Sequence, residues 1–121
     1  MNFKLFLFIL VVLIVIDIIY LSFIADYMNK VVRNIQGKPI KLEIISVILI
    51  YLFISLGLYY FIIIEKRPVL YAFLLGIIIY GVFDLTNFNL FEKWKLDTVI
   101  IDSLWGGILL SLTTYIVYKI N

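Results

Sequence analysis

Four apolar stretches, residues 3–25, 42–64, 69–91 and 96–118, dominate this 121-residue chain. A helix needs about 20 mostly apolar residues to cross a bilayer, and each stretch reaches that length. Lipid offers no water to backbone N–H and C=O groups, so each stretch must satisfy its own as a helix. Composition agrees: 65% of residues are hydrophobic and 15% charged, with a mean hydropathy of +1.18. An ordinary soluble domain is about 45–50% apolar and about 25% charged. So short a chain cannot hide that much apolar surface from water. The expected fold is all-α and polytopic, an antiparallel four-helix transmembrane bundle in which residues 1–121 form one domain.

The breaks between spans are short. "DYMNKVVRNIQGKPIK" follows the first, and within it Met28, Val31, Val32 and Ile35 fall on one helical face, opposite Asn29, Lys30, Arg33 and Asn34. That pattern predicts a short interfacial helix after span one, ended by Gly37 and Pro39. "EKRP" makes a tight turn with Pro68 placed to start the third helix. "EKWK" separates spans three and four, where Trp94 suits the membrane interface. The first span is read as a retained helix rather than a cleaved signal, because its apolar run continues past Asp17 and "SFIAD" places Phe23 where cleavage needs a small residue. Loops one and three hold Lys30, Arg33, Lys38, Lys41, Lys93 and Lys95, against Lys4, Lys66, Arg67 and Lys119 at the other end. The positive-inside rule leans, by a thin margin, towards loops one and three in the cytoplasm.

Cysteine and histidine are both absent. Disulfides, thiol nucleophiles, imidazole acid–base chemistry and Cys/His zinc sites go with them. A net charge of +2 without a long basic run gives no support to nucleic-acid binding.

Three aspartates interrupt the apolar spans: Asp17, Asp84 and Asp102. Threading the spans antiparallel puts each roughly 8–12 Å in from the ends near loops one and three, at about 1.5 Å per residue. The carboxylates therefore share one layer. On span three Ala72, Gly76, Tyr80 and Asp84 recur every fourth residue, with Asn87 one turn on and Thr86 beside it. On span four Asp102, Gly106, Leu109 and Thr113 line up, with Trp105 alongside; span two offers Tyr51 and Ser55, and span one offers Tyr20. Ala72, Gly76 and Gly106 are the small residues that let helices approach closely in lipid. Asp17, Tyr20, Tyr51, Tyr80, Asp84, Thr86, Asn87, Asp102 and Trp105 are the candidate polar site. A packing role alone is a costly use of carboxylates. Polar contacts in membranes contribute about 0.6 kcal/mol on average, against an insertion cost of about 2.5–3.5 for each acid.

"DIIYL" in span one, "YGVFDLTNF" in span three and "IDSLWGG" in span four resemble the hallmarks of an uncharacterised family, a domain of unknown function, of small four-span predicted integral membrane proteins. Its pattern is Asp-x-x-Trp-Leu, Tyr-Asp-Leu-Thr-Asn and Asp-x-x-Trp-Gly, in the same order. The matching positions are Asp17, Leu21, Asp84, Leu85, Thr86, Asn87, Asp102, Trp105 and Gly106. Tyr20 stands where Trp is usual and Phe83 where Tyr is usual. The resemblance implies the four-span fold and a site at these residues, and it brings no activity with it.

Three functional readings stay open. A carboxylate cluster in a membrane can share protons, accept a cation or hold a small ligand. A structural or accessory subunit needs the polar layer only to pair helices. A lipid-modifying enzyme comes last, for want of His, Cys or any nucleophile motif. The expected location is the membrane, with multiple passes, and the expected partner is the lipid bilayer, with a homodimer or a larger membrane complex supplying any further spans. The residues name no cofactor and no metal.

Overall fold

The computed structural model describes residues 1–120. Four helices follow one another: α1 (Phe3–Gln36), α2 (Ile44–Leu58, continued by a π turn, Tyr59–Ile63), α3 (Val69–Leu90) and α4 (Leu96–Ile120). All four, counting the π turn with α2, are long and apolar enough to cross a membrane. Their outer faces carry large apolar side chains such as Phe23, Phe53 and Phe61, each more than two-thirds exposed. Only lipid makes such a surface stable.

α1 starts where the Asn2 side chain accepts the Leu5 N–H at 3.1 Å and ends at Gly37, whose φ of 73° lets its N–H reach the Arg33 carbonyl. It is 34 residues long, about 51 Å at 1.5 Å per residue, well beyond a hydrocarbon core of about 30 Å. The separate interfacial helix expected after span one is therefore the final turns of α1. Nothing between Asp26 and Gln36 breaks a helix, and the first glycine is Gly37. The apolar stripe meets protein rather than the membrane surface: Val31 is buried against Trp94 and Val99, with Met28 and Ile35 beside it.

α2 is capped by Glu43, which accepts the Ile45 N–H at 2.7 Å and both the Ser46 hydroxyl and N–H at 2.7 and 3.3 Å. The π turn closes with the Arg67 N–H on the Ile62 carbonyl and the Lys66 N–H on that of Ile63. This paired closure needs a left-handed residue, usually glycine, and here Lys66 takes it at φ 53°. Pro68 then caps α3.

α3 packs along α4, α4 against α1 and the π turn that continues α2, and α1 against α2, so α4 touches all three other segments of the bundle. The α3–α4 seam is set by glycine. A Cβ on Gly76 would collide with the Gly106 carbonyl and come within 2.8 Å of the Gly107 Cα, and one on Gly107 would meet the Phe73 ring at 2.8 Å. Ala72 is fully buried in the same row. Ile9 and Leu13 of α1, Leu58 of α2, and Leu109 and Leu110 of α4 fill the centre. At one end the Asn2 N–H donates to the Tyr59 hydroxyl (2.7 Å) and the Tyr118 hydroxyl to the Arg67 carbonyl (2.7 Å), gathering the start of α1, the α2–α3 turn and the end of α4. The other end is joined by Tyr27 and Thr98, whose hydroxyls lie 2.8 Å apart.

Candidate functional site

The polar layer lies on the side of the bundle that carries the first and third connections. Asp17 of α1 is buried, 8% exposed, and both its oxygens are used. The Tyr51 hydroxyl of α2 donates to Oδ2 at 2.5 Å, and the Trp105 indole N–H of α4 donates to Oδ1 at 2.9 Å. One carboxylate thus brackets three helices. Tyr20, one turn on from Asp17, stacks on Trp105 with ring centroids 4.0 Å apart and planes 6° off parallel. A flat ring suffices for this stack, so tyrosine fills the position where the resemblance led one to expect tryptophan.

Asp84 of α3 is differently placed. It is fully buried, and among the described residues neither of its oxygens has a hydrogen-bond partner. Asp102 of α4 lies directly against it, and the two carboxyl groups meet with no donor between them. The Trp94 indole stands close by, but its N–H also closes no hydrogen bond, and the buried Ser103 hydroxyl is likewise unpaired. The glycine seam explains how two acids come so near: with no side chains at Gly76 and Gly106, the α3 and α4 backbones are in contact one or two turns away. Asp17 lies within electrostatic range of Asp102, and the Tyr20 hydroxyl within range of all three carboxylates. Tyr80, packed over Gly106, lies in range of Asp17 and Asp102.

Among the candidate residues, Asp17, Tyr20, Tyr51, Tyr80, Asp84, Asp102 and Trp105 are brought together. Thr86 is not. It is exposed, its hydroxyl returned to the Val82 carbonyl at 2.6 Å, because two residues past Asp84 is more than half a turn round the helix. Asn87 is half-buried and, among the described residues, its side chain makes no hydrogen bond. Trp94, expected at the membrane interface, is 8% exposed and packs edge-on to Phe83 at 6.5 Å. Trp94, Ser103 and the Tyr27–Thr98 pair are additions to the polar layer. Spacing carried a signal for them: Tyr27 lies two turns beyond Tyr20, and Thr98 one turn before Asp102.

Two carboxyl groups in contact can share a proton or hold a cation that touches both. Among the described residues no group of three or more acidic, His or Cys side chains is arranged to hold a metal ion. Two carboxylates suit a proton or a singly charged cation better than a hard divalent ion, which asks for about six oxygens.

Comparison with protein families matches residues 2–119 to the profile described as "Predicted membrane protein (DUF2177)". Comparisons with curated proteins and with solved structures returned no match.

Proposed function

For a chain that belongs to the DUF2177 family of predicted membrane proteins, and is itself a multi-pass membrane protein, we propose that the Asp84–Asp102 pair handles protons or small cations within the bilayer. One observation carries this reading: both oxygens of a fully buried Asp84 are unpaired and face a second carboxyl group. An unsatisfied buried carboxylate costs more than any single hydrogen bond contributes, so a pair kept only for packing would be poorly designed. Ionisable groups inside membranes generally mark ion or proton paths. Trp94 adds an unused donor beside the pair, which can help orient what binds.

The test is a melting series on wild type, Asp84→Asn and Asp102→Asn between about pH 5 and pH 8, with and without Na⁺, K⁺, NH₄⁺ or Mg²⁺. The amide keeps the size of the side chain but neither shares a proton nor neutralises a cation. Wild type is expected to respond to pH or to one of the ions, because binding to the native state adds RT ln(1 + [L]/Kd). Both variants are expected to lose that response while remaining folded. Identical responses in all three proteins would overturn the reading.

A second reading, a structural subunit whose polar layer pairs helices, draws on Asp17. Its two donors come from α2 and α4, and it asks for nothing further. On that reading the Asn variants melt at equal or higher temperature than wild type and respond to ions as wild type does.

A further inference from the structure

The bundle is closed along α3–α4 and open along α2–α3. Although consecutive, α2 and α3 pack on different partners and barely touch each other. Between them, at the end far from the carboxylates, the π turn borders a groove of 510 Å³, a volume typical of ligand pockets at about 300–1,000 Å³. Ile62 and Leu75 form its inner wall, and Leu74 and Ile78 its lipid-facing flank. Its mouth is the α2–α3 turn, where Glu65 and Arg67 stand exposed at the membrane edge. The Arg67 guanidinium sits 5.7 Å above the Tyr71 ring, a cation–π contact that holds it at the groove.

We propose that this groove binds a phospholipid whose headgroup carries both a phosphate and a primary amine. An acyl chain matches the apolar walls. Arg67 offers the forked donors that phosphate accepts, and Glu65 offers an acceptor for the ammonium protons. The mouth thus holds one charge of each sign, complementary to a zwitterion. An anionic glycerol headgroup satisfies Arg67 but brings no cation to Glu65, and a choline headgroup brings a cation without an N–H to donate. The occupant is therefore distinguished by its amine. The site is independent of the Asp84–Asp102 pair, which lies at the other end of the bundle.

The experiment is native mass spectrometry of the purified full chain titrated separately with phosphatidylethanolamine, phosphatidylglycerol and phosphatidylcholine of the same chain length. Wild type is expected to retain phosphatidylethanolamine in preference to the other two. Arg67→Gln is expected to weaken retention of all three by about tenfold, the loss of a charge-assisted hydrogen bond. Glu65→Gln is expected to erase only the ethanolamine preference. Glu65→Gln removes no fold contact, and Arg67→Gln removes only the exposed contact with the Tyr71 ring, since Tyr118 bonds the Arg67 backbone carbonyl and not its side chain; lipid-free melting temperatures of both variants check that the fold is kept. Asp84→Asn is expected to bind lipid as wild type does, which separates this result from that of the proton or cation reading. Equal retention of the three lipids by wild type, tightest retention of phosphatidylglycerol, or no effect of Arg67→Gln would overturn the proposal.

Discussion

Asp17 and Asp84 are both buried carboxylates in the same layer of the same bundle, and their surroundings are opposite. Asp17 accepts a phenol from α2 and an indole from α4, one donor for each oxygen. Asp84 accepts nothing and faces another acid. The first arrangement is complete within the protein, so removing the carboxylate strands two donors. The second is incomplete, so removing the charge relieves the fold. Burial alone does not distinguish the two acids. The count of satisfied oxygens does.

The largest effect is expected where the two regions are coupled through backbone. Gly76 holds α3 against α4, and any side chain there must displace the Gly106 carbonyl. Gly76→Val is expected to cost about 3 kcal/mol or more, since overpacking against backbone finds no flexible neighbour to yield. It should separate Asp84 from Asp102 while sparing the Asp17 contacts, which involve α1, α2 and α4 only. Thermal unfolding in detergent measures the cost, and Trp105 fluorescence measured in a Trp94→Phe background reports on the Asp17 bracket. A Gly76→Val protein as stable as wild type would show that the seam is not what brings the acids together.

A direct comparison of the acids comes next in size. Asp17→Ala leaves the Tyr51 hydroxyl and Trp105 N–H without an acceptor and is expected to lower stability by about 2 kcal/mol, between the cost of unpaired buried donors and the smaller values typical of membranes. Asp84→Ala strands no donor and is expected to be far milder, its small cavity offset by the lost desolvation cost. Melting temperatures of the two alanine variants decide the matter. Equal losses would erase the distinction between them.

The shared layer was legible from arithmetic: three aspartates, antiparallel threading and a fixed rise per residue place them at one depth. The α3 stripe was legible too, since Ala72, Gly76 and Asp84, all buried, recur at steps of four. Which helix neighbours which was not. The Asp17–Trp105 bond depends on α1 packing against α4, and short turns fix only sequential order. The stripe Met28, Val31, Val32 and Ile35 reads as a helical face from sequence, with the membrane interface as its expected partner. An apolar face looks the same to a bilayer and to Trp94 and Val99, so only the tertiary contact distinguishes them. Adjacency in "DLTN" groups Thr86 with Asp84, although helical phase turns it outward.

The smallest effect concerns a fourth carboxylate, Glu43, which is exposed and, like Asp17, supplied with donors. The Ser46 hydroxyl, the Ile45 N–H and the Ser46 N–H hold its carboxyl below the ordinary value of 4.5. A group whose native pKa is depressed stabilises the fold fully above its unfolded value, and the contribution fades as pH falls through the native one. Wild type is therefore expected to lose a little stability on acidification below about pH 4.5, and Glu43→Gln to lack that component while starting slightly less stable at neutral pH. The measurement is melting temperature against pH on both proteins. It also isolates the buried pair: any response between about pH 5 and pH 8 that survives in Glu43→Gln and vanishes in Asp84→Asn belongs to Asp84 and Asp102, because Glu43 has already finished titrating there. A response in that range that Glu43→Gln abolishes would reverse the assignment and place the pH sensitivity at the capped, exposed acid instead of the unpaired, buried one.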